Sequence, residues 1–254
     1  MDMVAAGTAD LSLWQFLALG AVAFFGAVLG GVSGFGAGLI VTPFLVPVVG
    51  IKGVVPVMSV AMVLGNLSRF WVYRDQVRRD VILKIMIPAV PGVIAGTLLY
   101  DVLPREPLAL CIGAFLLVSI PLRRHLAKKA VVPTPAAVVG VSAGFGVVSG
   151  ALPGGGIVLM PLLLGLGLST GALVGTDAII GMAVNLVKIA MFGKLDLLNR
   201  DLMIGGLLVG LCMIPGAYGA RWLIERMNVH LHTAVIEGLV VFSGLSFIWS
   251  GLFP

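Results

Sequence analysis

Charge is what this sequence has least of. Asp, Glu, Lys and Arg make up 11% of its 254 residues, against 59% hydrophobic, and the mean hydropathy is +1.15. A soluble domain carries about a quarter charged residues, so that class is excluded. The few charges bunch into short runs between long apolar stretches, the pattern of a polytopic membrane protein in a lipid bilayer. A net charge of +5 in such a chain sets orientation through its loops, and no nucleic-acid partner is expected. Cysteine is nearly absent: Cys111 and Cys212 both sit inside apolar runs, which excludes a disulfide framework and reads as two inert buried thiols. The three histidines, His125, His230 and His232, lie in or beside loops with no metal-ligand spacing, so neither metal nor cofactor is expected. No Lys or Arg precedes Lys52. The basic start of a cleavable signal is therefore missing, and Leu13 onward reads as a retained span. No Ser-His-Asp set, paired carboxylates or phosphate loop stands out, which argues against an enzyme.

Glycine and proline are what the chain has in quantity, 35 and 14 residues, and they cluster where they matter. In Gly150-Ala151-Leu152-Pro153-Gly154-Gly155-Gly156, three glycines follow a proline within apolar flanks. Glycine adds backbone freedom and proline removes a donor, so a helix must break there. Irregular backbone at membrane depth is tolerated only where protein buries it or where it lines a polar cavity. A looser copy occurs earlier, from Gly30 through Ser33, Gly34 and Gly36 to Gly38. Setting Pro43 on Pro161, 118 residues apart, also sets Gly36 on Gly154 and Gly38 on Gly156. An independent match, Asn66-Leu67-Ser68-Arg69 with Asn185-Leu186-Val187-Lys188, falls in register at 119 residues. The chain is an internal duplication.

The spans follow the same order twice. Leu13–Leu29, the first glycine break, a short apolar piece Leu39–Val49, then Gly53–Tyr73, Val81–Val102 (interrupted by Pro88, Pro91 and Gly92) and Leu108–Leu122 form residues 1–125. A basic, proline-bearing linker covers residues 126–135. Residues 136–254 hold Ala136–Ser149, the second break, the short Ile157–Leu168, then Thr170–Phe192, Leu202–Ile224 and a last span ending near Trp249. Pieces this short cannot cross a bilayer, which takes about 20 residues. Arg74, Arg78, Arg79 and Lys84 place one loop in the cytoplasm, and Arg123, Arg124, Lys128 and Lys129 place another there, two spans later. The acidic N-terminus belongs outside, so each half holds an odd number of crossings. The expected fold is all-α and polytopic, with two inverted repeats, each a glycine-broken helix and half-span plus full transmembrane helices, in a bacterial-type inner (cell) membrane. A homodimer is a candidate assembly.

Inverted pairs of broken helices suit anion transport. Half-helix N-termini present unpaired N–H groups and partial positive charge near the midplane. Scattered pairs such as Gly92/Gly96 and Gly206/Gly210 read instead as helix packing. Among intramembrane polar residues, Asp177, Gly181, Asn185 and Lys188 fall at i, i+4, i+8 and i+11, one face of a helix. Asp177 is a candidate carrier of a coupling proton or cation, or half of an interhelical clamp. Asn66 and Asn185, being repeated, read as substrate hydrogen-bond donors. Arg69 and Lys188 sit near span ends, where snorkelling to the interface and pairing with substrate charge both fit. The expectation for Lys188 is that its ammonium reaches the interface. Glu237, in the last span, is either a coupling carboxylate or a solvated interface residue.

The two glycine segments, each followed by an apolar run and a proline, resemble the paired hallmark of the sulfite exporter family, the TauE/SafE anion permeases. The resemblance covers about Leu13 to Trp249. The second copy keeps Gly154-Gly155-Gly156, whereas the first reads Gly36-Ala37-Gly38. What the resemblance implies is a secondary transporter, an exporter, of a small sulfur-containing anion such as sulfite, thiosulfate or a sulfonate. The alternative is an integral membrane enzyme acting on a phosphorylated or lipid-soluble substrate, with the glycine breaks as phosphate cradles. It lacks a nucleophile with a partner base: Ser33, Thr42 and Ser149 are the polar side chains nearest the breaks.

Overall fold

The computed structural model describes residues 13–33, 36–127, 133–168, 170–224 and 229–253. Those residues form ten α-helices and no strand: α1 Leu13–Ser33, α2 Gly36–Val49, α3 Ile51–Tyr73, α4 Arg79–Val102, α5 Arg105–Ala127, α6 Pro135–Ala151, α7 Gly156–Gly165, α8 Thr170–Lys194, α9 Arg200–Ile224 and α10 Val229–Leu252. The fold is all-α, and the chain is a polytopic membrane protein. Four stretches among the described residues, Ile51–Gln76, Arg79–Val102, Arg105–Leu122 and Gly171–Lys194, are long and apolar enough to cross a membrane. Large apolar side chains such as Ile87, Val102, Phe242 and Trp249 are exposed on the outside of the bundle, a surface that suits lipid.

Several boundaries differ from the sequence expectation. Pro88 and Pro91 lie inside a continuous α4, because neighbouring helices can re-satisfy backbone groups that proline frees within a membrane. The basic run at 123–127 continues α5, so the helix runs into the start of the stretch expected as a linker over 126–135. α6 opens at Pro135, with the Thr134 hydroxyl accepting from the Ala137 N–H at 3.3 Å, and residues 128–132 and 225–228, the latter most of the turn expected at Glu225–His230, lie outside the described residues. The first break is narrower than expected, since α1 stays helical through Gly30, Gly31 and Ser33.

Exchanging α1–α5 for α6–α10 maps the packing onto itself: α4 packs on α6 as α9 packs on α1, and α3 pairs with α8 and α5 with α10. Directions follow from which residues meet. Gly171 lies by Gln76, Gly175 by Tyr73 and Gly181 by Asn66, so α3 and α8 run antiparallel. Gly251 lies by Leu110 and Gly113 by Gly244, so α5 and α10 do too. α4 and α6 run parallel and very close. A Cβ on Gly96 would come 3.0 Å from the Gly150 Cα and the Ala151 nitrogen, and one on Gly92 would come 3.1 Å from the Gly146 Cα. Gly206 and Gly210 seat α9 against Val57, Val60 and Ala61 of α3 in the same way. These four glycines are packing residues, as their spacing suggests. Gly150 joins them: it is helical and lies against Val93 and Gly96, so it is not part of the break.

Candidate functional site

The second break is confined to 152–155. α6 ends at Ala151, Gly154 takes φ 84°, a left-handed turn that favours glycine, and α7 begins at Gly156. The Ile157 N–H donates to the Gly154 carbonyl at 3.1 Å and the Val158 N–H to the Gly155 carbonyl at 2.9 Å, tightening the first turn. The N–H groups of Gly155 and Gly156 stand at the head of the helix, where the backbone leaves donors without intrahelical partners. Gly154 lies against Leu39 of α2, the helix that follows the first break. The second break therefore packs on α2.

The second break lines a cavity of about 90 Å³, room for several waters or one small anion. Gly38 lines it from the first turn of α2 and Gly154, Gly155 and Gly156 from the second break, with Asn66, Arg69, Asp177, Asn185 and Lys188 on its wall. Of the residues expected from sequence, Gly34 lies outside the described residues, and Ser33 and Gly36 fall at the ends of α1 and α2 flanking it. Glu237 is half-buried in α10 and is not among the residues lining the cavity.

α3 and α8 supply matching stripes. At the 119-residue offset, Met58, Met62, Asn66 and Arg69 correspond to Asp177, Gly181, Asn185 and Lys188, and all eight line the cavity. Arg69 forms a buried ion pair with Asp177, Nη1 to Oδ2 at 3.4 Å, and its other terminal nitrogen donates to the Asn66 Oδ1. The Asn185 amide donates to the Gly181 carbonyl at 2.7 Å. Lys188 departs from the sequence expectation. It does not reach the interface but is 6% exposed and on the cavity wall, because α8 continues to Lys194 and places position 188 well inside the helix. No ion-pair partner of Lys188 is found among the described residues.

The sequence pointed least to Ser149. Its Oγ is buried with no hydrogen-bond partner among the described residues, and the residue lines the cavity. A Cβ on Gly155 would come 2.8 Å from the Ser149 Cβ, so the serine sits directly under the glycine turn. A buried hydroxyl left unpaired costs about 1–3 kcal/mol, which a ligand or water in the cavity would offset. Its position three residues before the break was the one available signal.

A helical membrane bundle with a glycine-broken helix lining a cavity that also holds two amides, two cations and a carboxylate has the architecture of a membrane transporter. Residues 19–247 match the family model described as sulfite exporter TauE/SafE. The chain belongs to that family of membrane sulfite and anion exporters. No curated protein and no solved structure matches it.

Proposed function

We propose that the chain is a secondary transporter, an exporter, that carries a small sulfur-containing anion across a bacterial-type inner membrane by alternating access. The observation that carries this reading is the cavity where Gly38 and Gly154–Gly156 face Asn66, Asn185, Arg69 and Lys188. The α7 N-terminus, two amides, two cations and the unpaired Ser149 hydroxyl are all donors suited to oxygen atoms bearing negative charge. The exchange pattern of the packing, with α3 antiparallel to α8 and α5 antiparallel to α10, supports an inverted repeat. In such repeats one half rocks against the other around a fixed midplane site.

The enzyme alternative is less well supported. Ser149 is the hydroxyl nearest the glycine turn, and its Oγ has no hydrogen-bonded base. The test is uptake into proteoliposomes holding the purified protein, with radiolabelled sulfite, thiosulfate and a sulfonate offered in turn. Saturable uptake of at least one, competed by the others and lost in Lys188→Met, is expected. Uptake no faster than in protein-free liposomes for all three would overturn the reading.

A further inference from the structure

The two halves contribute the same polar positions to the cavity but not the same charge. Asn66 matches Asn185, and Arg69 matches Lys188. Asp177, which pairs with Arg69, is matched by Met58. By the 119-residue correspondence Met58 stands to Lys188 as Asp177 stands to Arg69, so one half has a thioether where the other has a carboxylate, and both line the cavity. We infer that the site is built for a monovalent anion, with Asp177 the residue that sets this valence and Lys188 the cation that receives the substrate. The inference rests on the transporter reading above and narrows it. It favours a sulfonate or singly protonated hydrogensulfite over thiosulfate or fully ionised sulfite.

The reason is charge balance in a poorly polarisable surrounding. Arg69, Asp177 and Lys188 are the ionisable residues lining the cavity, and with all three ionised they carry one net positive charge between them. α6 and α7, which close its other side, contain no ionisable residue. On α4, Arg79, Asp80 and Lys84 are exposed. Arg74 and Asp75 pair with each other at 3.8 Å in the exposed turn after α3. A monoanion makes the occupied cavity neutral. A dianion leaves one uncompensated negative charge inside the membrane, a costly arrangement. Lys188, lacking a carboxylate neighbour among the described residues, offers its charge without breaking an existing pair.

The test uses the full-length purified protein and two probes of fixed valence near neutral pH, methanesulfonate and thiosulfate, with affinities measured calorimetrically. The parent should bind methanesulfonate more tightly than thiosulfate by about tenfold or more. Asp177→Asn adds one net positive charge and should shift that ratio toward thiosulfate by a similar factor. Met58→Asp should abolish methanesulfonate binding by neutralising Lys188. The double variant Met58→Asp with Asp177→Met moves the carboxylate to the other half, and it should recover methanesulfonate binding with Arg69 as the receiving cation. Because Met58→Asp adds a group instead of removing the buried pair, it tests the idea even where Asp177→Asn folds poorly. A ratio unchanged in Asp177→Asn, or Met58→Asp binding methanesulfonate as the parent does, overturns the valence assignment alone. A parent that binds neither probe overturns the anion-site reading and this inference with it.

Discussion

Asn66 on α3 and Gly181 on α8 face each other so closely that a Cβ at Gly181 would come 2.7 Å from the Asn66 amide nitrogen. The same asparagine accepts a hydrogen bond from Arg69 through its Oδ1. Glycine at 181 therefore sets where the amide and the guanidinium point. Gly181→Ala should push the Asn66 amide aside and weaken methanesulfonate binding by about tenfold. The end of the asparagine side chain can rotate away, so the melting temperature should stay near the parent's. Calorimetry with a parallel thermal melt checks both, and unchanged affinity would separate Asn66 from the substrate.

Glycines that look alike in sequence should fail differently. Gly96→Ala would drive a methyl into the backbone of α6 near Gly150 and Ala151, where nothing flexible can yield. It should cost about 1–3 kcal/mol in stability. At Gly38 the nearest atoms to an added Cβ are the tips of Met58 and Met62, both at 3.9 Å. Gly38→Ala should fold as the parent does and lower ligand affinity by crowding the cavity. Equal thermal melts for the two variants would remove the distinction between packing and cavity glycines.

Much of this was legible in the sequence because membrane helices leave few ways to place a polar side chain. The i, i+4, i+8, i+11 spacing of Asp177, Gly181, Asn185 and Lys188 put them on one face, and that face lines the cavity. The repeated Asn66 and Asn185 pointed to the same wall. Gly154-Gly155-Gly156 after Pro153 announced the break, because no helix continues through that run. Less legible was depth along a helix. Lys188 read as near an end until α8 proved to continue to Lys194. Pro88 and Pro91 read as interruptions, because the close support of α6 behind Gly92 and Gly96 is a tertiary fact. Ser149 looked like any helical serine, since its hydroxyl gains meaning only once Gly155 folds over it.

Lys188 and Asn185, three residues apart on α8, should rank in a fixed order. Asn185 uses one amide hydrogen on its own helix, at 2.7 Å from the Gly181 carbonyl, leaving its remaining groups for ligand. Asn185→Leu should weaken methanesulfonate binding by about 1.5–3 kcal/mol, the range for a hydrogen bond to a charged group. Lys188→Met removes the charge itself and should weaken binding further, beyond calorimetric detection. With expression matched, a silent Lys188→Met beside a damaging Asn185→Leu would mean that helix termini and amides hold the anion alone.

The last prediction concerns direction across the membrane. α3 and α8 occupy equivalent places in the two halves and run antiparallel, so the segments after their C-termini lie at opposite ends of the bundle. Asp75 follows α3, is almost fully exposed and belongs to the basic loop assigned to the cytoplasm. Gly193, the last but one residue of α8, has open space around it. In a background carrying Cys111→Ser and Cys212→Ser, Asp75→Cys should react with a membrane-impermeant maleimide only from the cytoplasmic side. Gly193→Cys should react only from the outside, and a cysteine placed before Leu13 should share that behaviour. Labelling of Asp75→Cys and Gly193→Cys from one side would mean that α3 and α8 do not both cross the membrane, and the inverted repeat would be lost. Opposite sides with the assignment reversed would keep the repeat and overturn only the orientation, because Arg74, Arg78, Arg79 and Lys84 would then lie outside against the charge rule for loops.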